Sequence, residues 1–241
     1  MHKIMLLTDS CGNPRSFPVS EITMLEETFP YLLRQEIKDS IFYQLSFGNL
    51  TTEELLSQAI SYHSHWNPDI IIVLSGIAES RPEAFTEFQK VVLKKLSIVL
   101  IFDKLILRFN HWIKKLLYNP ALIKRHQFYR VSKSSFRKTL KKFKLIFSKS
   151  KIYWLEISAG PKHDDSRPGV IKRMESYNAI IKEIYGDDFV PVQQKLMVVE
   201  GFNGSDHVHL SKRGHKLISD ILLERINKFL DQKIKLYEQN T

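Results

Sequence analysis

The chain has 241 residues, enough for one large domain, or one domain carrying an insert, around a sizeable core. A single cysteine excludes an internal disulfide framework, and no run of about 20 uncharged apolar residues, the length a membrane-spanning helix needs, occurs in the sequence. The formal net charge of +10 is concentrated in one place: from Lys104 to Lys151 there are 15 Lys and Arg and no Asp or Glu, leaving 21 basic against 26 acidic residues elsewhere.

In chain order, Lys3 to Thr8 reads as a buried strand, and Gly12-Asn13-Pro14 breaks whatever follows. Met5-Leu6-Leu7 is too short an apolar core for a secretory signal, so a cytoplasmic location is expected, with the inner face of the membrane as a variant of it. Residues 20–38 suggest one or two short helices interrupted by Pro30, and Ile41 to Phe47 a second strand ended by Gly48. Thr51-Thr52-Glu53-Glu54 has a capping-box pattern that should start a helix over about 52–65. Pro68 precedes the most apolar strand, Ile70 to Leu74; Ser80, Pro82 and Glu83 open another helix, and Val91 to Phe102 continues as an apolar stretch. Strands alternating with capped helices at this spacing indicate an α/β fold of the flavodoxin-like three-layer type, with a parallel sheet of about five strands.

The basic segment 104–150 reads as a helical insert within a single domain spanning 1–241. Leu105, Ile106, Phe109, Trp112, Ile113, Leu116 and Leu117 form one apolar stripe, and Phe136, Leu140, Phe143 and Phe147 a second after Asn119-Pro120. The plain reading is a helical pair packed on the sheet with solvated charges. Sharper ones are a cradle for an anionic glycan or acyl-CoA, which makes Lys141, Lys142 and Lys144 substrate-binding candidates, or a peripheral membrane contact. Nucleic acid ranks last, because no recognised binding motif accompanies the charge.

After the segment, Lys151 to Ile157 is a strand with Tyr153 and Trp154 on opposite faces, and the polar stretch Ala159 to Gly169 should overhang its carboxyl end. His163, Asp164 and Asp165 sit in that stretch without the further ligand spacing of a metal site, so no metal is expected. Residues 170–185 form a helix, Phe189 to Val192 a short last strand, and Ser211 to Leu230 a closing helix that Ser211 can cap.

Two stretches carry chemistry. Ser10 follows the first strand directly, and Asp206 stands three residues before His209. If the fold brings them together, they supply a nucleophile, a base and an orienting carboxylate: a Ser hydroxyl needs a hydrogen-bonded His to take its proton, and the His needs a carboxylate to hold its tautomer. Cys11, beside Ser10, is expected to pack as a small hydrophobe.

These stretches occur within a set of blocks whose order resembles the SGNH (GDSL-type) hydrolase superfamily. Thr8-Asp9-Ser10 stands where that family usually has Gly-Asp-Ser; Leu45 to Thr52, with Gly48, is similar to the second block; Ile70 to Glu79 is similar to the third; and Asp206-x-x-His209 matches the last. The resemblance covers most of residues 1–100 and 150–230. It implies a catalytic triad of Ser10, His209 and Asp206, and an oxyanion hole from the amides of Ser10 and Gly48. The family's third donor, an Asn, falls on Ala78, which has none to offer; Asn49, the amides of the Gly76 loop and Arg81 are candidates to replace it, and Asn49 and Arg81 are also substrate-binding candidates. Glu79 should pair with Arg81 or point away.

The resemblance implies serine-dependent acyl transfer on carbohydrate. The first expectation is an O-acetyltransferase acting on an anionic bacterial capsular or surface polysaccharide, with acetyl-CoA as co-substrate and no bound cofactor, since the variant third block resembles members of surface-polysaccharide pathways. The alternatives are a carbohydrate O-acetyl esterase and a non-catalytic glycan-binding protein of the same fold.

Overall fold

The structure is a computed structural model describing residues 1–86, 88–93, 111–113 and 115–238, with side chains to residue 233. Its centre is a five-stranded, all-parallel sheet of β1 (His2–Thr8), β2 (Ser40–Ser46), β3 (Ile70–Leu74), β4 (Lys151–Leu155) and β5 (Phe189–Val190), in the order β2-β1-β3-β4-β5. Every residue of β3 is buried, because a parallel strand covered on both faces has no polar side. β2, at the edge, alternates instead and leaves Ile41 and Tyr43 exposed.

On one face α1 (Phe29–Glu36) packs against the closing helix, here Lys212–Glu238, through Phe29 and Leu33. Pro30 does not interrupt this helix. It occupies the first turn, where a missing N–H costs nothing and the fixed φ suits the start. On the other face lie α2 (Thr52–His63) and the crossover helices. The capping box forms as expected: Thr51 N donates to Glu54 Oε2 at 2.6 Å and Glu54 N to Thr51 Oγ1 at 3.3 Å.

The region after β3 differs from its expected course. A four-residue helix, α3 (Ile77–Ser80), begins at once, because Gly76 adopts φ +130° and its missing Cβ avoids Ile157 Cδ1, which a Cβ would approach to 2.3 Å. Arg81 ends that helix, Pro82 follows, Glu83 pairs with Phe128 as an antiparallel bridge, and helical residues resume at 88–93. The continuation expected to Phe102, and the stripe residues Leu105, Ile106 and Phe109, lie outside the described residues.

Within the basic segment, α4 (Pro120–His126) is capped by Asn119, and α5 (Lys133–Ile146) buries Phe136, Leu140 and Phe143 against α2 and α7 (Val170–Tyr185). Burying each such side chain contributes about 1.5–3 kcal/mol. α5 is thus part of the helical layer on the sheet. Between β4 and α7 runs the short α6 (His163–Ser166), followed after β5 by α8 (Gln193–Met197); the closing helix is α9. Among the described residues no helix is long and apolar enough to cross a membrane.

Candidate active site

β1, β2, β3 and β4 all deliver their carboxyl ends to one edge of the sheet, where parallel α/β folds gather reactive side chains. Ser10 opens a single 3-10 turn, Ser10–Gly12, directly after β1. Asp9 holds the turn: its N–H donates to Leu74 O at 2.9 Å, tying it to β3, and its carboxylate accepts from Cys11 N at 2.9 Å. Gly12 is required there, since a Cβ would fall 2.2 Å from Thr8 Oγ1. Cys11 is buried with its thiol on Val208 O, and burial followed by the Asp9 carboxylate pushes that thiol well up, so it is no competing nucleophile.

The second half comes from the loop before α9. Asp206, a turn residue, accepts at Oδ1 from Val208 N (3.0 Å) and His209 N (3.1 Å), which leaves Oδ2 for the imidazole. His209 Nδ1 lies 2.6 Å from Asp206 Oδ2, and His209 Nε2 lies 2.9 Å from Ser10 Oγ. Ser10, His209 and Asp206 therefore form one continuous hydrogen-bonded chain, with the carboxylate on the imidazole nitrogen remote from the hydroxyl. Burial alone would raise the Asp206 carboxyl, but the hydrogen bonds from His209 and the two amides outweigh it and hold the carboxyl well below the usual range. Ser211 caps α9 by accepting from Gly214 N at 3.4 Å, fixing the far end of the loop.

Arg15 belongs to this arrangement although the sequence offered no signal for it beyond the breaker Gly12-Asn13-Pro14. Its guanidinium lies 3.2 Å from Asp206 Oδ2 and 3.0 Å from Glu21, whose carboxylate accepts from Ser205 N at 2.9 Å. Segment 15–23 thereby clamps the loop that carries Asp206. The 159–163 stretch does the same from the other side, with Gly160 N donating to His207 O at 2.7 Å.

On the oxyanion side, Phe47 N donates to Thr8 O, so the turn containing Gly48 lies beside the end of β1. A Cβ on Gly48 would meet nothing within 4 Å, which leaves its surroundings open to a ligand. Ala78 is buried and lines a cavity of about 210 Å³ together with Asn49 and Arg81. Asn49 is held in the left-handed region (φ +62°) and accepts from Arg130 at its backbone O and its Oδ1. Glu79 points away from Arg81: it is fully buried and accepts at Oε1 from Thr52 N at the start of α2.

Lys141, Lys142 and Lys144 are not brought to this edge. They lie in the second half of α5, exposed, and Lys144 donates to Ile184 O and sits over the Tyr185 ring, toward the amino ends of the strands. As contacts to a substrate on Ser10 they are displaced by the direction of α5, which runs down the sheet from Ser132. A cavity of about 670 Å³ also opens at that opposite edge, between Lys151, Phe189 and Arg225. His163, expected in an overhanging loop, is buried with neither ring nitrogen hydrogen-bonded among the described residues, while Asp164 accepts from Gly169 N and Ile171 N at the start of α7. Among the described residues no cluster of His, Cys, Asp and Glu could hold a metal ion.

No protein-family model matches the chain, and no curated protein does. Solved structures do. A lipase/acylhydrolase from Enterococcus faecalis is similar over 94% of this chain and 95% of its own, with a TM-score of 0.62 at 14% identity. A protein described as a GDSL-like lipase, from Parabacteroides merdae, is similar over 92% and 94%, with a TM-score of 0.57 at 13% identity. A variant of an acetylxylan esterase from Geobacillus stearothermophilus is similar over 93% and 94%, with a TM-score of 0.56 at 16% identity.

Proposed function

From a chain that has the three-layer fold of SGNH-type hydrolases, we propose a serine esterase that removes O-acyl groups, acetyl first among them, from carbohydrate. The observation that carries this reading is the continuous chain Ser10 Oγ to His209 Nε2 to Asp206 Oδ2 at 2.9 and 2.6 Å. In that geometry Ser10 Oγ passes its proton to His209 and bonds to the ester carbonyl carbon, the C=O electron pair moving onto oxygen. Collapse of the tetrahedral adduct breaks the bond to the alcohol, which leaves with the proton from His209. Water then repeats the sequence on the acyl-enzyme and releases the acid. Asp206 holds the imidazole with its Nδ1 proton and stabilises the imidazolium.

The developing oxyanion is received by the amides of Ser10 and Gly48. Asn49 is the third donor in this reading, because its Oδ1 is occupied by Arg130 and its amide nitrogen remains to donate toward the cavity that Ala78 leaves. A donor of this kind contributes about 2.7–4 kcal/mol to the transition state. The acetyl-sugar assignment is supported by the acetylxylan esterase among the similar structures.

A second reading keeps the same acyl-enzyme and resolves it with a sugar hydroxyl in place of water, making the protein an O-acetyltransferase with acetyl-CoA as donor and a capsular or surface polysaccharide as acceptor. The excess of positive charge from Lys104 to Lys151 favours it through long-range attraction of an anionic donor and acceptor, although Lys141, Lys142 and Lys144 themselves lie at the opposite edge of the sheet. One experiment separates the readings. Incubation with 4-nitrophenyl acetate and with a fluorophosphonate should give Ser10-dependent turnover and a Ser10 adduct by mass spectrometry. Acetyl-CoA should be cleaved at a comparable rate, and only with glycan present, if transfer is the activity. No adduct and no turnover would refute both.

A further inference from the structure

Against the loop that carries Asp206 lies a cavity of about 520 Å³ bounded by residues from three distant parts of the sequence: Arg81 after α3, Tyr118, and His163 with Arg167 around α6, with Ser205–Val208 as its remaining wall. Its polar groups are short of partners. Arg81 makes no hydrogen bond or ion pair among the described residues, and its Nε is buried without an acceptor. Arg167 stacks its guanidinium on the Tyr118 ring at 4.6 Å and donates to Pro82 O at 3.4 Å, with no carboxylate on it among the described residues. His163 is 4% exposed, and neither of its ring nitrogens has a partner among the described residues.

Two guanidinium groups side by side with no carboxylate between them repel, and unpaired buried donors cost free energy. The carboxylates nearby relieve this only at a distance, Asp9 acting on Arg81 and Glu83 on Arg167 without an ion pair to either among the described residues. Asp206 is engaged by His209 and Arg15, Glu83 by Lys90, and Asp165 sits exposed at the rim. His163 adds no charge, because burial, then the charges of Arg81 and Arg167, push it down to about 4 and leave it neutral at pH 7, with one N–H to donate. Of the side chains facing the cavity, Arg81, Arg167 and Lys162 are cations and His163 is a neutral donor, while its two carboxylates are either paired elsewhere, as Asp206 is, or exposed at the rim, as Asp165 is.

We infer that this cavity is a subsite for an oxyanion, a carboxylate or a phosphate, carried on the alcohol side of the ester, with Arg81 and Arg167 as its charged contacts and His163 as a neutral donor. The assignment rests on Ser10 being the acyl acceptor. The side follows from proton transfer: the departing alcohol takes its proton from His209, so it leaves toward the loop that precedes His209, and that loop is one wall of the cavity. Arg81, Tyr118 and Arg167 also line the Ala78 cavity, so the subsite and that cavity are contiguous. The substrate class is thus an acidic O-acyl sugar, a uronate or a sugar phosphate, in preference to a neutral one.

The test compares kcat/KM for O-acetylated methyl glucuronide, O-acetylated glucose 6-phosphate and O-acetylated methyl glucoside in the wild type, R81Q, R167Q and R167K. Binding of glucuronate, glucose 6-phosphate and methyl glucoside is measured by calorimetry on the Ser10→Ala protein, with and without R167Q. The wild type should favour at least one acidic ester over the neutral one by about 10-fold or more, the value of one charge-assisted contact, and R167Q should shrink that ratio toward unity while R167K keeps part of it. Preference for the uronate identifies a carboxylate ligand, preference for the sugar phosphate a phosphate. Equal rates on all three esters, with neither anion binding more tightly than methyl glucoside, would overturn the subsite. If no ester is hydrolysed, the esterase reading fails, and the calorimetry still decides the subsite.

Discussion

Replacing Glu79 by Gln should stabilise the protein at alkaline pH. Glu79 is fully buried, Oε1 accepts from Thr52 N, and Oε2 has no partner among the described residues. Burial raises its carboxyl from 4.5 to about 7, against the opposing hydrogen bond from Thr52. Because the folded value lies above the unfolded one, the native state holds a proton that the unfolded chain has lost between pH 4.5 and 7, and stability falls as pH rises through that window. The interval corresponds to about 3 kcal/mol, a penalty present in full above pH 7 and absent below 4.5. Gln keeps the Oε1 acceptor and cannot ionise. In urea unfolding at pH 4, 6 and 8, the variant should match the wild type at pH 4 and exceed it by about 3 kcal/mol at pH 8, about 6–12 °C in melting temperature for a chain of this size. Other titrations, including those of His163 and His215, are common to both proteins and cancel in the difference. A variant less stable than the wild type at pH 8, with an unchanged pH slope, would show that the ionised carboxylate is favoured there by the amino end of α2, and the argument from burial would be wrong.

Ser10→Ala should abolish ester turnover and leave the melting temperature within about 2 °C, since a partly exposed hydroxyl contributes little to folding; retained turnover would move the chemistry elsewhere. Asp206→Asn should lower kcat by about 10³–10⁴-fold, because the imidazole loses the carboxylate that holds its tautomer, and the loss should persist from pH 5 to 9, where Asp206 stays ionised. Arg15→Gln, which loosens the loop without touching the reacting atoms, should reduce kcat by about 10-fold, leave KM for 4-nitrophenyl acetate near the wild-type value, and be partly restored by Lys; an unchanged kcat would remove Arg15 from any positioning role. Asn49→Ala should reduce kcat by about 10²-fold, and adding Ala78→Asn should recover part of it; a double variant no better than the single one would exclude a third donor at this wall.

Much of the architecture could be read from local pattern. The continuous apolar run Ile70 to Leu74 can only be a strand covered on both faces, and the capping box at Thr51 announces α2, because both are governed by residues within a few positions of one another. Pro30 misled for the same reason: a proline breaks a helix interior but suits its first turn, and which of the two applies depends on where the helix starts. Asp206 and His209 could be paired because three residues of a turn separate them, and block order pointed to Ser10 as their partner.

Distances between remote segments were not legible in this way. The sequence alone determined the residue types for acyl transfer, their order, and the parallel α/β class, since these follow from spacing and periodicity. Only the tertiary structure decided that Ser10 and His209, 199 positions apart, come within 2.9 Å, that Arg15 reaches Asp206, and that Lys141, Lys142 and Lys144 face the wrong end of the sheet. It likewise decided that Arg81, Arg167 and His163 share one cavity, with no carboxylate among the described residues in an ion pair with either guanidinium. The physical reason is that charge and hydrogen-bonding capacity are properties of residues, whereas their compensation depends on which crossover helix and which loop the sheet's right-handed connections bring to its carboxyl edge.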